Sequence, residues 1–211
     1  MKKIIAIIFA LSMGICAWTQ GRAPVLLGAG FVAPFAWETS EYEGDDITAK
    51  LNGAGFDIVL GVLPQKSNWG IIDNFSFSWP QNISAEYKGK KYTVGKDDYK
   101  TLFLFEATVA ADYFFVNKDA FLFGAGPLFS MTTFSWSTEY LSSANFAVGL
   151  GGNIIGIFRS TLDNFAVFFG TNVTFDFFGS TSVNTSTTKN SSSGTTSDWI
   201  ITPFMGISII I

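Results

Sequence analysis

The sequence contains no histidine and only one cysteine, Cys16, in its 211 residues. Because Cys16 lies in an N-terminal segment that we expect to be removed, the mature chain lacks the residues of the usual nucleophile–base pairs and common zinc sites. Glu106 and Asp112 would lie about 20 Å apart on one extended strand, too far for a catalytic pair. A cross-strand pair such as Asp57 with Glu106 stays open. We therefore predict no enzyme, no cofactor and no metal site.

A long apolar run is present only near the N-terminus. Lys2 and Lys3 precede an apolar stretch at residues 4–16, which is too short for a transmembrane helix and is typical of a secretory signal peptide. We place the signal peptide at residues 1–20, with its cleavage site open, and one domain at residues 21–211. The net charge of −4 becomes −6 once both lysines are removed, which argues against a nucleic-acid partner.

Phenylalanine is abundant, with 23 residues, and the apolar residues recur with a period of two. In residues 199–211 nearly every second residue is apolar, which predicts a β-strand with two unlike faces. Eight such segments are predicted, at residues 25–37, 49–62, 71–79, 101–115, 121–136, 145–158, 165–178 and 199–211. The third segment is short, and its continuation toward Tyr87 stays open. Pro34, Pro127 and Pro203 lie inside strands, where we expect bulges to absorb them.

Charged residues inside the strands avoid the apolar face. Asp57, Glu106, Asp112, Asp176 and Arg159 all have the opposite parity, so we predict that they face the interior of a barrel, its lumen. Glycines share that face, where small residues leave room for other side chains. Either neighbouring polar groups solvate the lumen carboxylates, or the carboxylates line a narrow cation path.

Short and long connections alternate, as in barrels with periplasmic turns and extracellular loops. Four tryptophans lie at the strand ends next to the long loops, and we predict that they form an outer interfacial belt: Trp37, Trp79, Trp136 and Trp199. Strand 121–136 has apolar residues of both parities, which predicts a bulge near residues 132–133.

The predicted loops carry opposite charges. The first, around residues 38–46, is acidic, and residues 180–197 read as a flexible Ser/Thr-rich loop. A basic loop supplies candidate contacts for an extracellular ligand or a host surface: Lys88, Lys90, Lys91, Tyr92, Lys96 and Lys100. Two other interpretations stay open: the acidic and basic loops pair with each other, or their charges only favour solubility.

The signal peptide, eight amphipathic segments, alternating loops and aromatic belt resemble the small outer-membrane barrels of Gram-negative bacteria, of the outer-membrane protein A, X and W types. The resemblance implies an all-β, eight-stranded antiparallel up-and-down transmembrane β-barrel in the outer membrane, with membrane lipids as partners. It also implies recognition of strand 199–211 by the barrel assembly machinery, although Ile211 stands where such proteins commonly end in Phe.

Three functions are compatible with this resemblance. The first is a structural or surface-interaction role carried by the extracellular loops. The second is a small channel for cations or small apolar solutes. The third is a secreted lipocalin-like carrier, which would turn its apolar face inward.

Overall fold

The computed structural model describes residues 24–42, 45–64, 67–87, 89–95, 98–139, 141–160, 164–185, 189–194 and 197–211. The predicted signal peptide lies outside these residues. None of the described residues forms a helix long and apolar enough to cross a membrane. The described residues form strands β1 (Val25–Val32), β2 (Phe35–Tyr42), β3 (Asp45–Val62), β4 (Trp69–Tyr87), β5 (Lys90–Gly95), β6 (Thr101–Lys118), β7 (Phe121–Ser137), β8 (Leu141–Arg159), β9 (Phe165–Thr185), β10 (Lys189–Gly194) and β11 (Ser197–Ile210).

Strands β1 and β2 act as one strand interrupted at Ala33 and Pro34. Both halves pair with β3 and β11 in the same register. Pro34 has no N–H, but its carbonyl accepts a hydrogen bond from the Gly53 N–H at 3.0 Å, and the Ala33 N–H donates to the Pro203 carbonyl at 3.1 Å. The ladder therefore accommodates Pro34 and Pro203 without the bulges expected from the sequence.

The strand pairings close the sheet on itself. Combined β1–β2, β3, β4, β6, β7, β8, β9 and β11 pair antiparallel in turn, and β11 pairs back with β1 and β2. Within the described residues, β5 pairs only with β4, and β10 only with β9. These pairings confirm the predicted all-β antiparallel barrel.

The strands extend further at the loop end than the sequence predicts. Strand β4 reaches Tyr87, and β2 and β3 continue as a hairpin that pairs Tyr42 with Asp45. Much of the predicted flexible tract at residues 180–197 also forms paired strands, in β9 and β10. Thr, Ile and Tyr suit extended backbone, and hairpin pairing satisfies backbone groups that a loop would leave to water.

The apolar face of the barrel points outward. Phe31, Met205 and Ile207 are 77%, 60% and 58% exposed, whereas Asn172 and Thr202 on the opposite face are fully buried. An apolar surface of this extent requires lipid around it. The lipocalin-like carrier, which needs the reverse orientation, is therefore the wrong alternative.

The predicted bulge near residues 132–133 is wrong. Strand β7 pairs with both neighbours in unbroken register there, and the shifts lie elsewhere, for example between Phe114 and Val116 of β6. Trp136 therefore has the parity of buried Leu128 and Ser130 and does not share the outward face of Trp79. Phe134, at this end of β7, lines the upper lumen, so the strand keeps the same face throughout.

Candidate functional site: the barrel lumen and its outer rim

The half of the lumen next to the short turns, which is the predicted periplasmic half, is filled by apolar side chains. Its largest members are completely or almost completely buried and come from strands all around the barrel: Leu26, Val59, Leu63, Ile72, Phe114, Leu122, Ile155, Ile157 and Phe168. The short turns lie at this end of the barrel. The start of β1 also meets the end of β11 here, where Val25 and Ile211 exchange backbone hydrogen bonds of 2.9 Å. We call this group the apolar plug.

A polar layer lies above the apolar plug. The Asp57 carboxylate accepts a hydrogen bond from Asn74 Nδ2 at 2.8 Å and one from Ser76 Oγ at 3.2 Å. Ser130 Oγ donates to Asp176 Oδ1 at 3.0 Å. Both carboxylates are fully buried. Hydroxyl and amide donors therefore solvate these charges: those of Asp57 come from the adjacent strand β4, whose register sets Ser76 opposite Asp57, and that of Asp176 comes from β7, one strand beyond its neighbour β8.

Hydrogen bonds in the polar layer also cross the lumen. Glu106 on β6 accepts from Thr202 Oγ1 at 2.7 Å and from Thr174 Oγ1 at 3.3 Å, although β6 pairs with neither β11 nor β9. Asn172 Nδ2 donates to Thr108 at 3.2 Å in the same way. Asp57 and Asp176 lie near enough to Glu106 to act on its charge. The lumen is thus bridged by side chains at mid-height.

Several buried oxygen atoms of this interior accept no hydrogen bond from the described residues. Buried Asn74 Oδ1, Asn153 Oδ1, Asp176 Oδ2 and both oxygens of Asp112 have no hydrogen-bond partner within the described part of the chain. Arg159, the predicted lumen cation, lies at the periplasmic end of β8 within electrostatic range of Asp119 rather than in the polar layer. Among the described residues, no group of three or more His, Cys, Asp or Glu side chains is arranged to hold a metal ion.

A partly open cavity of about 60 Å³ occupies the lumen above the polar layer. Its wall is mostly apolar, with Asn145, Asp198 and Thr132 as polar members, and its apolar lining includes Ala36, Ala49, Leu51, Ile83, Leu104, Phe134, Ala147 and Ile200. Such a volume holds a few water molecules or a small apolar group. The lumen thus consists of an apolar plug, a polar layer and an apolar outer cavity.

Three of the four predicted belt tryptophans lie on outward positions at the outer end of the barrel. Trp37 and Trp199 are direct cross-strand partners, and Trp199 is 52% exposed. Trp79 packs against Phe103, with ring centroids 6.1 Å apart. Trp136 instead contacts Tyr99 edge-on at 5.9 Å.

The described residues among the predicted ligand contacts of the basic loop lie at two separate positions, on β5 and just before β6. Lys90 and Lys91 are exposed on β5, where they pair with Tyr87 and Glu86 of β4. Lys100 is exposed just before β6. Lys88 and Lys96 lie outside the described residues, as does the side chain of Tyr92. Since β3 pairs with both β2 and β4, the acidic β2–β3 hairpin and the basic β4–β5 hairpin are neighbours in one sheet.

The sequence analysis overlooked Asp73. This residue has the parity of outward Phe77, lies between Leu60 and Val109 on the neighbouring strands, and is only 4% exposed. The signal was present, because Asp73 is a charged residue on an otherwise apolar face. Thr174 and Thr202 were overlooked as partners of Glu106 because nothing in a single strand indicates which residues meet across a closed barrel.

Solved structures with this architecture are bacterial outer-membrane proteins. The chain is similar to the outer membrane protein OprG from Pseudomonas aeruginosa (TM-score 0.56, 12% identity, 90% of this chain and 96% of that one). It is also similar to Neisserial surface protein A (TM-score 0.52, 13% identity, 88% and 96%) and to the outer membrane protease OmpT from Escherichia coli (TM-score 0.51, 8% identity, 89% and 97%). No protein-family profile and no curated protein sequence matches the chain.

These likenesses and the outward apolar face confirm the predicted resemblance to small outer-membrane barrels and the predicted outer-membrane location. The prediction that the chain is not an enzyme, made from its lack of histidine and mature cysteine, is contradicted by one of these likenesses. OmpT is a protease and has the same fold. A barrel of this kind therefore does not exclude catalysis, because activity belongs to sites placed on a fold and not to the fold itself.

Proposed function

We infer that this outer-membrane β-barrel is a structural anchor whose extracellular hairpins contact anionic ligands at the cell surface. The observation that carries the proposal is the bridged lumen. The Glu106–Thr202 hydrogen bond of 2.7 Å crosses it, and the fully buried side chains of the apolar plug lie beneath. A barrel filled in this way is a rigid support rather than a water-filled passage. Contacts with ligands are then made by the hairpins that extend beyond the barrel.

The β4–β5 hairpin is the best-described candidate contact. Its strands continue the barrel wall outward, and Lys90 and Lys91 are exposed on β5. Two adjacent lysines attract anionic groups, and the effect weakens as salt screens it. Glu86 opposite Lys91 tempers this attraction, so we expect affinity from several weak contacts. An acidic surface polysaccharide has the matching repeated charge.

The test compares single charge removals at opposite ends of the barrel. The full chain is purified from outer membranes in detergent, and its binding to immobilised heparin, used as a model polyanion, is measured at increasing salt. Lys91→Gln should weaken binding about fivefold, as expected for the loss of about 1 kcal/mol. The matched control Lys118→Gln, at the periplasmic end of β6, should bind as the unchanged protein does.

Two results would overturn the proposal. One is equal binding by the Lys91→Gln and Lys118→Gln proteins. The other is cation-selective conductance of the unchanged protein in a planar bilayer that falls in Glu106→Gln, since this would make the lumen the functional path.

A second candidate function, passage or binding of small apolar solutes, is favoured by the outer cavity. Leu104 and Phe134 line it, together with Ala147, which is 6% exposed. Ala147→Phe would fill the cavity, whereas Ala125→Phe would add the same ring on the outward face of β7. Indole uptake by proteoliposomes that falls in the Ala147 variant alone would support this function, and equal uptake by both variants would contradict it.

A further inference from the structure

A hollow opens in the outer rim between β4 and β6. The two strands pair only as far as Ser78 with Leu104, and beyond that point β4 pairs with β5 instead. The separation leaves an open volume of about 500 Å³ lined by Trp79, Pro80, Tyr99, Lys100 and Phe103, among others. This rim hollow lies apart from the lumen cavity, with which it shares no lining residue.

The depth of the rim hollow indicates what surrounds it. Trp79 is 47% exposed and packs on Phe103, which in turn lies 6.4 Å from Phe77 between ring centroids. These side chains continue the outward apolar face up to its outer edge. Exposed aromatic rings at this edge lie at the depth of the lipid headgroups. The groups next to the hollow in the membrane are therefore headgroups and the first segments of acyl chains.

The upper side of the rim hollow is polar and basic. Lys100 is the one cationic side chain among the lining residues, and it is exposed. Tyr99 provides a phenol whose pKa is raised, first by burial and second by the neighbouring Asp98 charge, so its hydroxyl stays protonated as a donor. Asp98 is the opposing acidic charge here, and it is exposed to water. An ammonium group and a hydroxyl donor together suit a phosphate.

These polar residues are held in place by the end of β7. The Lys100 N–H donates to the Ser137 carbonyl at 2.8 Å, and the Thr101 and Ser137 hydroxyl groups are hydrogen-bonded to each other. The Tyr99 ring packs edge-on against Trp136. A backbone fixed in this way loses less conformational freedom on binding than a free loop would.

We propose that the rim hollow binds the phosphate-bearing headgroup of an outer-leaflet lipid, with Lys100 and the Tyr99 hydroxyl at the phosphate and an acyl chain on Trp79 and Phe103. The site would tie the barrel to one class of lipid in its own membrane. It goes beyond the proposed role of the β4–β5 hairpin and uses different residues.

Native mass spectrometry of the full chain, purified in detergent and mixed with diphosphoryl lipid A, measures this binding. The unchanged protein should bind lipid A more tightly than its dephosphorylated form, because only the former offers the charge. Lys100→Gln should weaken lipid A binding about fivefold, corresponding to about 1 kcal/mol for one lysine near a membrane surface. The matched control Lys118→Gln removes the same charge from the other end of β6 and should change nothing.

The proposal is overturned if Lys100→Gln and Lys118→Gln bind lipid A equally, or if both forms of lipid A bind equally to the unchanged protein. Displacement of lipid A by inorganic phosphate alone would also overturn it, because the site would then recognise a free anion. Tyr99→Phe, which keeps the ring against Trp136, tests the hydroxyl without removing the aromatic contact. A heat-dependent shift in gel mobility confirms that each variant is folded. Loss of heparin binding in Lys91→Gln leaves this outcome unaffected, so the two proposals can fail separately.

Discussion

Gly151 and Gly152 are adjacent in β8, and replacing each with alanine should have opposite effects on stability. A Cβ built on Gly151 would overlap the backbone carbonyl oxygen of Val173 on β9. A Cβ on Gly152 would meet only the carbonyl oxygen of Gly126, at 3.7 Å, an ordinary contact. Neither glycine has the positive φ that would itself oppose alanine. The difference between the variants is therefore steric.

The expected magnitudes follow from this difference in space. Gly151→Ala must push β8 and β9 apart, and overpacking of this kind costs about 1–3 kcal/mol. Gly152→Ala should stabilise the protein by about 0.4–1 kcal/mol, because alanine leaves the unfolded chain fewer conformations to lose. The two variants should therefore differ by about 1.4–4 kcal/mol. With a urea dependence of about 1–3 kcal/mol per molar, their unfolding midpoints should differ by about 1 M.

Urea unfolding in phospholipid vesicles, followed by tryptophan fluorescence and by the heat-dependent shift in gel mobility, measures this difference. Equal midpoints would refute the assignment of Gly151 to the crowded inner face and Gly152 to the open outer face. A Gly151→Ala protein more stable than the Gly152→Ala protein would refute the register of β8 against β9.

Three further outcomes are expected. Thr202→Val removes the 2.7 Å donor to Glu106 and should lower the free energy of unfolding by about 1–3 kcal/mol, measured by urea titration. Leu150→Lys places a charge on a 57% exposed mid-strand position and should destabilise the protein in lipid by about 2–4 kcal/mol. Burial raises the pKa of Tyr99, so an ultraviolet titration of the unchanged protein should contain a phenol that ionises above pH 10, and this component should be absent from Tyr99→Phe. The contribution of this phenol to folding stability should fall as the pH rises past 10.

Each of these outcomes has a matched control. Thr133→Val, on the half-buried outward face of β7, should have little effect, and an equal loss in both threonine variants would contradict the lumen-crossing bond. Gln81→Lys, at an exposed position of β4 just beyond Trp79 of the predicted outer belt, should cost less than about 1 kcal/mol. Asp98→Asn should lower the Tyr99 pKa, and an unchanged titration would contradict the electrostatic contribution.

Period two in the sequence was sufficient to predict the eight barrel segments and the parity of Asp57, Glu106, Asp112 and Asp176, but Asp73, the hairpin strands and several strand ends were missed. Alternation is a geometric property of extended backbone, so the parity of Asp57 and Glu106 against neighbouring Phe56 and Phe105 could be read without a structure. The same rule failed on β7 because it was combined with the assumption that large aromatic residues face lipid. Phe134 lines the outer cavity of the lumen. Its parity along β7 predicts this inward position, whereas its aromatic character alone suggests the lipid face.

The side-chain contacts that cross the barrel could not be predicted from single strands. Glu106 and Thr202 are 96 residues apart in the chain, and their contact depends on closure and on the register of every strand between them. The rim hollow likewise depends on how strands pair, because it forms where β4 stops pairing with β6, near Pro80. Pro80 has no N–H, and it lies opposite Gly53, where the register between β3 and β4 shifts. Loop hairpins were overlooked for another reason: polar Ser/Thr sequence is compatible with both loop and strand.

The hydrogen-bonding geometry of the polar layer explains how carboxylates are buried there, although no Lys or Arg is among the buried residues in the described part of the chain. Asp57, Glu106 and Asp176 each accept from serine, threonine or asparagine side chains, and the donors of Glu106 come from strands on the far side of the lumen. Glu106 and Asp176 thereby tie non-neighbouring strands together, whereas Asp57 accepts from the neighbouring strand β4. The interior carboxylates therefore help to close and fill the barrel. We expect selective contacts with other molecules at the outer rim instead, where Lys91 and Lys100 are exposed.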